Sequence, residues 1–332
     1  MIEPGDHQRK GREMTSVAVL DDYQGVAAEL ADWSALPDDT TVTFFSDHLD
    51  PLDDEDALVA RLESYDVLVL MRERTPLRRP LIARLPRLRL VVTTGMRNAS
   101  IDLEAAREHG IVVCGTPGGT PGTVELAWAL ILAVVRQLPA EDARVRKGGW
   151  QHTLGTDLGG STLGLLGLGR LGRAMVPVAR AFGMDVIAWS QNLTAAAAIE
   201  GGAERVEKDE LFARSDVLSV HLVLSDRTRG LVGSAELGRM KPTSYLVNTS
   251  RGPIVDEAAL VEALHDRRIA GAGLDVYDQE PLPDRHPLLS APNTVLTPHI
   301  GFVTRGTYGA WYPAAVDAVG AYLAGSPLNV IS

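Results

Sequence analysis

A single cysteine, Cys114, stands in 332 residues, so no internal disulfide can form and the chain suits a reducing compartment, expected to be cytoplasmic. Its setting in IVVCGTP reads as a buried strand-end thiol rather than a reactive one. Basic residues are in the minority: 32 Lys and Arg against 43 Asp and Glu leave a net charge of −11. That deficit argues against a nucleic-acid or anionic-membrane partner, because either needs a basic surface to meet phosphate, although a local basic pocket stays open. Long apolar runs are missing too. The longest, LAWALILAVV at 126–135, is about half of the roughly 20 residues that span a bilayer. The opening MIEPGDHQRKGREM is charged and has no apolar stretch, so it reads as a flexible extension rather than a secretory signal, with Met14 a second candidate start. Neither HExxH nor paired-cysteine spacing occurs, so no metal site is expected, and His221 in VHLVLS is a poor metal ligand.

What the sequence does contain is alternation. A length of 332 residues suggests two domains, and 45% apolar with 23% charged residues is an ordinary globular balance. Short β-branched or leucine-rich runs recur at SVAVLDD, VTFFSD, YDVLVLM, LRLVVTTG and IVVCGTP, with helical patterns such as DEDALVARLES and DLEAAREHG between them. Such alternation implies parallel βαβ units and an open sheet covered on both faces. The Gly/Pro/Thr-rich GTPGGTPG then leads into a long apolar helix, and a domain boundary is placed there. A second series follows, TLGLLGLG, DVIAWS, VLSVHLV, SYLVNTS, IAGAGLDVY and NTVLTPH. After His299 the stretch TYGAWYPAAVDAVGAYLAGSP predicts one more helix, expected to cross back onto the first domain.

Two motifs carry chemistry. Gly167, Gly169 and Gly172 form GxGxxG directly after an apolar strand and at the head of a helix, where backbone N–H groups and the helix N-terminus can receive a pyrophosphate. The end of the following strand, where an acid normally holds the ribose 2′-hydroxyl, reads VIAWSQNLT, with Ser190 and Gln191 in place of the acid. The second motif is spread over three strand ends: Arg251 in NTSRG, Glu280 in LDVYDQEP and His299 in TPHIG. Singly, each has a plainer reading, as a surface ion pair, a loop acid or a structural histidine. Their shared position at the carboxyl ends of strands suggests one crevice. There Arg251 would clamp an anionic substrate, His299 would transfer a proton and Glu280 would hold the imidazole.

The stretches GLLGLGRLG, SDVLSVHLVLSDRTRGLV, MKPTSYLVNTSRGPIVDEAALVEAL, GAGLDVYDQEPLP and TPHIG resemble the D-isomer-specific 2-hydroxyacid dehydrogenases, a family that includes phosphoglycerate dehydrogenases and glyoxylate/hydroxypyruvate reductases. The resemblance runs from about residue 16 to 330. It implies an α/β fold of two doubly wound parallel-sheet domains, a Rossmann nucleotide-binding domain at 119–299 inserted in a flavodoxin-like substrate domain at 1–118 and 300–332. It implies catalytic roles for Arg251, Glu280 and His299, contact of Asp275 with the nicotinamide carboxamide, a place for His221 near the cofactor, and a homodimer. The candidate cofactor set is completed by Gly167, Gly169, Arg170, Leu171, Gly172, Ser190, Gln191 and Thr228. The substrate-carboxylate loop departs from the family's run of small residues: it reads TTGMRNASID, which makes Thr94, Gly95, Met96 and Arg97 the candidate substrate residues and leaves the choice of substrate open.

The expectation is therefore an NAD(P)(H)-dependent oxidoreductase that interconverts a small 2-ketoacid and a D-2-hydroxyacid. It should accept both cofactors with a mild lean to NADPH, and it should close about glycine-rich hinges near 118–122 and 299–303. The competing readings are a nucleotide-sensing corepressor-like binding module without metabolic turnover, and an oxidoreductase for an inorganic or one-carbon anion.

Overall fold

Four consecutive apolar residues with no polar alternation make a strand that must be covered on both faces, and VLVL at 67–70 is buried at every position. The computed structural model describes residues 14–50, 54–119 and 121–331. Apart from Met14, the extension read from the first 14 residues lies outside them. The chain divides into two units, residues 1–120 with 305–332, and residues 121–304.

In the first unit, β1 (Thr15–Val19), β2 (Thr40–Phe44), β3 (Val67–Leu70), β4 (Leu90–Thr93) and β5 (Val112–Gly115) form a parallel sheet in the order β2-β1-β3-β4-β5. This is the flavodoxin-like order. Asp102 starts the helix Leu103–Glu108 by accepting from the Ala105 N–H at 2.8 Å, the usual N-cap device. The C-terminal helix Arg305–Leu323 packs on β4 and β5, and the segment after it pairs with β5 through Cys114 and Val330. Cys114 is fully buried, and burial pushes its thiol up.

The second unit holds β6 (Thr162–Leu166), β7 (Asp185–Trp189), β8 (Glu204–Arg205), β9 (Val217–Val220), β10 (Tyr245–Asn248), β11 (Gly271–Leu274) and β12 (Thr294–Leu296). All pair in parallel, in the order β12-β11-β10-β9-β6-β7-β8, so the order reverses between β6 and β9. The apolar helix Gly122–Val135 packs beneath β10, β11 and β12. Among the described residues no single helix is long and apolar enough to cross a membrane. Edge strand β8 has no counterpart in the sequence reading, because two exposed charged residues carry no periodicity.

The chain re-enters the first unit at 304/305, five residues later than the expected 299/300. Residues 300 and 301 stay with the second unit because Asp275 accepts their N–H groups and Thr123 Oγ1 donates to the Gly301 carbonyl at 3.1 Å.

Three strand ends of the first unit are tied together by Asp21, which is buried and has φ 59°. Its carboxylate meets His48 Nδ1 at 2.8 Å and accepts from Thr75 Oγ1 at 2.7 Å. The hydrogen bond to Asp21 raises the His48 pKa above its ordinary value. A folded-state pKa above the unfolded one gives stability that is complete below about pH 6.5 and is lost as pH climbs through the folded value. The thermal midpoint of the wild type should therefore exceed that of His48→Gln at acidic pH, with the gap closing as pH rises. A gap that widens with pH would show that His48 does not bind its extra proton here.

Candidate active site

The glycine turn is shaped by close backbone approach. Gly167 has φ 108°, and a Cβ there would lie 2.7 Å from the His221 carbonyl oxygen; a Cβ on Gly172 would lie 2.2 Å from the Gly167 carbonyl oxygen. The first contact lets the ends of β6 and β9 meet at the switch point, and the second seats the helix Arg170–Ala181 on the turn. Gly169 caps that helix without any side-chain hydrogen bond, no acid lies in its first turn, and a Cβ at Gly169 would meet nothing within 4 Å. Backbone donors facing open space at a helix N-terminus fit a dinucleotide pyrophosphate. Arg170 is exposed at the helix start, and Leu171 packs on the core below it.

Other members of the cofactor set are placed less directly. Ser190 is half-buried just past β7, and Gln191 is exposed. His221 Nε2 meets Ser219 Oγ at 2.9 Å, and burial pushes the imidazole down to about 4, so it is neutral. Thr228 is engaged in its own loop: its hydroxyl donates to the Val223 carbonyl and accepts from the Ser225 N–H, both at 2.8 Å.

Arg251, Glu280 and His299 follow β10, β11 and β12 in turn. Glu280 Oε1 accepts from the Tyr277 N–H at 2.9 Å, and Oε2 meets His299 Nδ1 at 2.5 Å. One carboxylate therefore fixes both the loop and the ring, and leaves imidazole Nε2 as the outward edge. His299 itself has φ 53°, a region that a non-glycine residue occupies only when its surroundings impose it. The imposing group is Asp275, 1% exposed. Its Oδ1 accepts from Thr297 Oγ1 at 2.6 Å and Ile300 N–H at 2.8 Å, and its Oδ2 from Gly301 N–H at 2.8 Å. Burial raises the Asp275 pKa in spite of these donors.

The Arg251 guanidinium donates from Nη1 to the Ser250 carbonyl at 2.7 Å, and the loop that carries it meets the Glu280 anchor through its neighbour. A Cβ on Gly252 would lie 2.1 Å from the Tyr277 carbonyl carbon, so only glycine lets the loop after β10 touch the backbone that anchors Glu280. Asn248 closes the same loop by donating to the Arg251 carbonyl at 2.9 Å. The roles of Gly252, Asn248 and Thr297 come from contacts within and between loops, which nothing along the chain signals.

In the first unit Gly95 has φ 85°, its N–H donates to Thr116 Oγ1 at 2.9 Å, and Met96 and Arg97 are exposed. Thr94 is different. Its side chain is fully buried, accepting from Arg72 N–H at 2.9 Å, and its carbonyl accepts from Arg72 Nη1 at 3.1 Å, so it braces the loop from inside. Asn98 does likewise, donating to the Arg72 carbonyl and to Thr93 Oγ1. Among the described residues no group of three or more His, Cys, Asp or Glu side chains could hold a metal ion.

Gly252→Ala should cost about 1–3 kcal/mol through backbone overlap and lower turnover by displacing the anchors of Arg251 and Glu280. Unfolding midpoints with single-turnover rates check this, and wild-type values for both would show that the loops can part without consequence.

With this geometry in hand, the chain can be set beside known proteins. A family profile described as "D-isomer specific 2-hydroxyacid dehydrogenase, NAD binding domain" matches residues 128–301. A glyoxylate reductase of Aeropyrum pernix is 42% identical over 263 residues, 76% of this chain and 78% of that protein. A D-3-phosphoglycerate dehydrogenase of Archaeoglobus fulgidus is 38% identical over 251 residues, but the match spans only 47% of its length. Among solved structures, a putative D-3-phosphoglycerate dehydrogenase from Ralstonia solanacearum superposes with a TM-score of 0.88 at 37% identity, over 95% of this chain and 96% of that one. The protein belongs to the D-isomer-specific 2-hydroxyacid dehydrogenase family.

Proposed function

We propose that this protein reduces small 2-ketoacids of the glyoxylate size class to D-2-hydroxyacids, using either reduced nicotinamide cofactor with a mild preference for NADPH. The observation that carries the reading is the Glu280–His299 hydrogen bond, with His299 Nδ1 anchored and Nε2 turned outward at the carboxyl end of the sheet that also bears the glycine turn. A bound reduced nicotinamide supplies the hydride. His299 gives its Nε2 proton to the substrate oxygen, and Glu280 keeps the imidazole oriented for that transfer. Arg251 presents a planar fork that holds the substrate carboxylate and polarises the adjacent carbonyl. Asp275 holds the 297–301 loop, and through it the ring. A homodimer and a cytoplasmic location complete the proposal, the first on family resemblance and the second on the lone buried cysteine.

The test is a screen of glyoxylate, hydroxypyruvate and pyruvate with NADH and NADPH. Turnover of at least one is expected. Tight nucleotide binding without turnover of any would return the reading to a sensing module. His299→Ala should lower kcat by about 10²-fold or more, the usual range for general acid catalysis, with cofactor affinity unchanged. Arg251→Lys should also be poor, because an ammonium cannot reproduce the fork. Near-normal turnover in either variant would remove that residue from its role. At Ser190, an introduced acid would accept from the 2′-hydroxyl of NAD and repel the 2′-phosphate of NADP. Ser190→Asp should move the NADPH/NADH ratio of kcat/KM towards NADH by about tenfold or more, a change that needs only about 1.4 kcal/mol. An unchanged ratio would mean that this corner does not meet the ribose.

A further inference from the structure

The corner after β7 carries no acid, and along the chain no arginine follows Ser190 closely enough to replace it. Across the sheet one does. Arg205 ends β8 in register with Ala188 of β7. Residues in register on parallel neighbours point to the same face, and so do alternate residues along one strand. Arg205 and Ala188 therefore share a face, and Ser190 is the residue that follows the end of β7. The shared face is that of the pyrophosphate helix, since Ala188 packs with Met175, Val176 and Ala179. Arg205 Nε donates to the Leu193 carbonyl at 2.9 Å, and Leu193 N–H donates to the Ser190 carbonyl at 3.0 Å, so the guanidinium is bonded to the very turn that Ser190 opens. From the opposite side Arg173, in the first turn of the helix, reaches the Ala197 carbonyl with Nη2 at 3.4 Å.

The acids near these arginines are weak competitors. Glu207 meets Arg205 Nη1 at 2.7 Å and Glu200 meets Arg173 Nη1 at 3.3 Å, but their side chains are 72% and 73% exposed. Exposed pairs of this kind contribute little and yield readily to a better anion. A phosphate is such an anion for a guanidinium, because it accepts two parallel N–H bonds.

We infer that Arg205 is the specificity-determining residue for a phosphate on the adenosine 2′ position, with the Ser190 hydroxyl as a second donor. The inference rests on the nicotinamide-cofactor reading above. It gives the preference for NADPH a charge to act through, supplied laterally by an edge strand.

The experiment is titration calorimetry of the full chain with NADP⁺ and NAD⁺, without substrate, so that binding is read apart from catalysis. The two probes differ only in the 2′-phosphate. In Arg205→Gln the affinity for NADP⁺ should fall about tenfold or more while that for NAD⁺ stays within about threefold; Arg205→Lys should lie between, and Glu207→Gln should raise NADP⁺ affinity by removing the competing carboxylate. An unchanged NADP⁺/NAD⁺ ratio in Arg205→Gln, or an equal loss for both probes as expected of a residue that only holds the turn, would overturn the assignment. Failure of the wild type to bind either probe would overturn it together with the cofactor reading. A wild type that binds both but reduces no 2-ketoacid would sink only the proposed reaction, and the ratio in Arg205→Gln would still decide the role of Arg205.

Discussion

The active-site half of the second unit depends on one buried carboxylate. Asp275 is 1% exposed and takes three donors from the segment 297–301. Desolvation outweighs those donors, since the net effect is a raised pKa, so the carboxylate is a poor source of stability. What it provides is geometry. With Thr297, Ile300 and Gly301 all fixed to one group, His299 between them has no choice but the left-handed region, and its ring is delivered to Glu280. A buried ionic group that costs the fold and orders a reactive side chain is the pattern expected where strain serves function.

Glycine supplies the complementary constraint. Gly167, Gly172 and Gly252 stand where a Cβ would lie 2.7, 2.2 and 2.1 Å from backbone atoms of other segments. The first two bring the cofactor turn against β9 and against its own helix, and the third brings the Arg251 loop against the anchor of Glu280. Side chains thus choose the chemistry, while missing side chains set how closely the strand ends can converge.

This division explains how much was legible in the sequence. Apolar runs such as VLVL and LVVT have to be buried strands, and their alternation with helical patterns determined both sheets, apart from β8. Arg251, Glu280 and His299 stand out in the sequence as charged residues at strand ends against those runs, and the structure joins two of them, Glu280 and His299. Thr94 and Thr228 do not declare their contacts in the same way: a hydroxyl beside a motif looks the same along the chain whether it faces a ligand or braces its own loop, and in this structure both hydroxyls bond within loops. Arg205 was hidden for a related reason. Its closeness to Ser190 comes from the register of a two-residue strand that has no periodicity to betray it.

The turn bonded to Arg205 and the loop that carries His299 are also far apart. From β7 to β12 there are five strand spacings, about 24 Å at ~4.8 Å each. The turn bonded to Arg205 and the Asp275-held loop that orients His299 thus lie on opposite halves of the sheet and are braced by different groups. The order of the strands reverses between them, at β6 and β9, so the glycine turn after β6 lies between the two edges and a single extended ligand is needed to reach both.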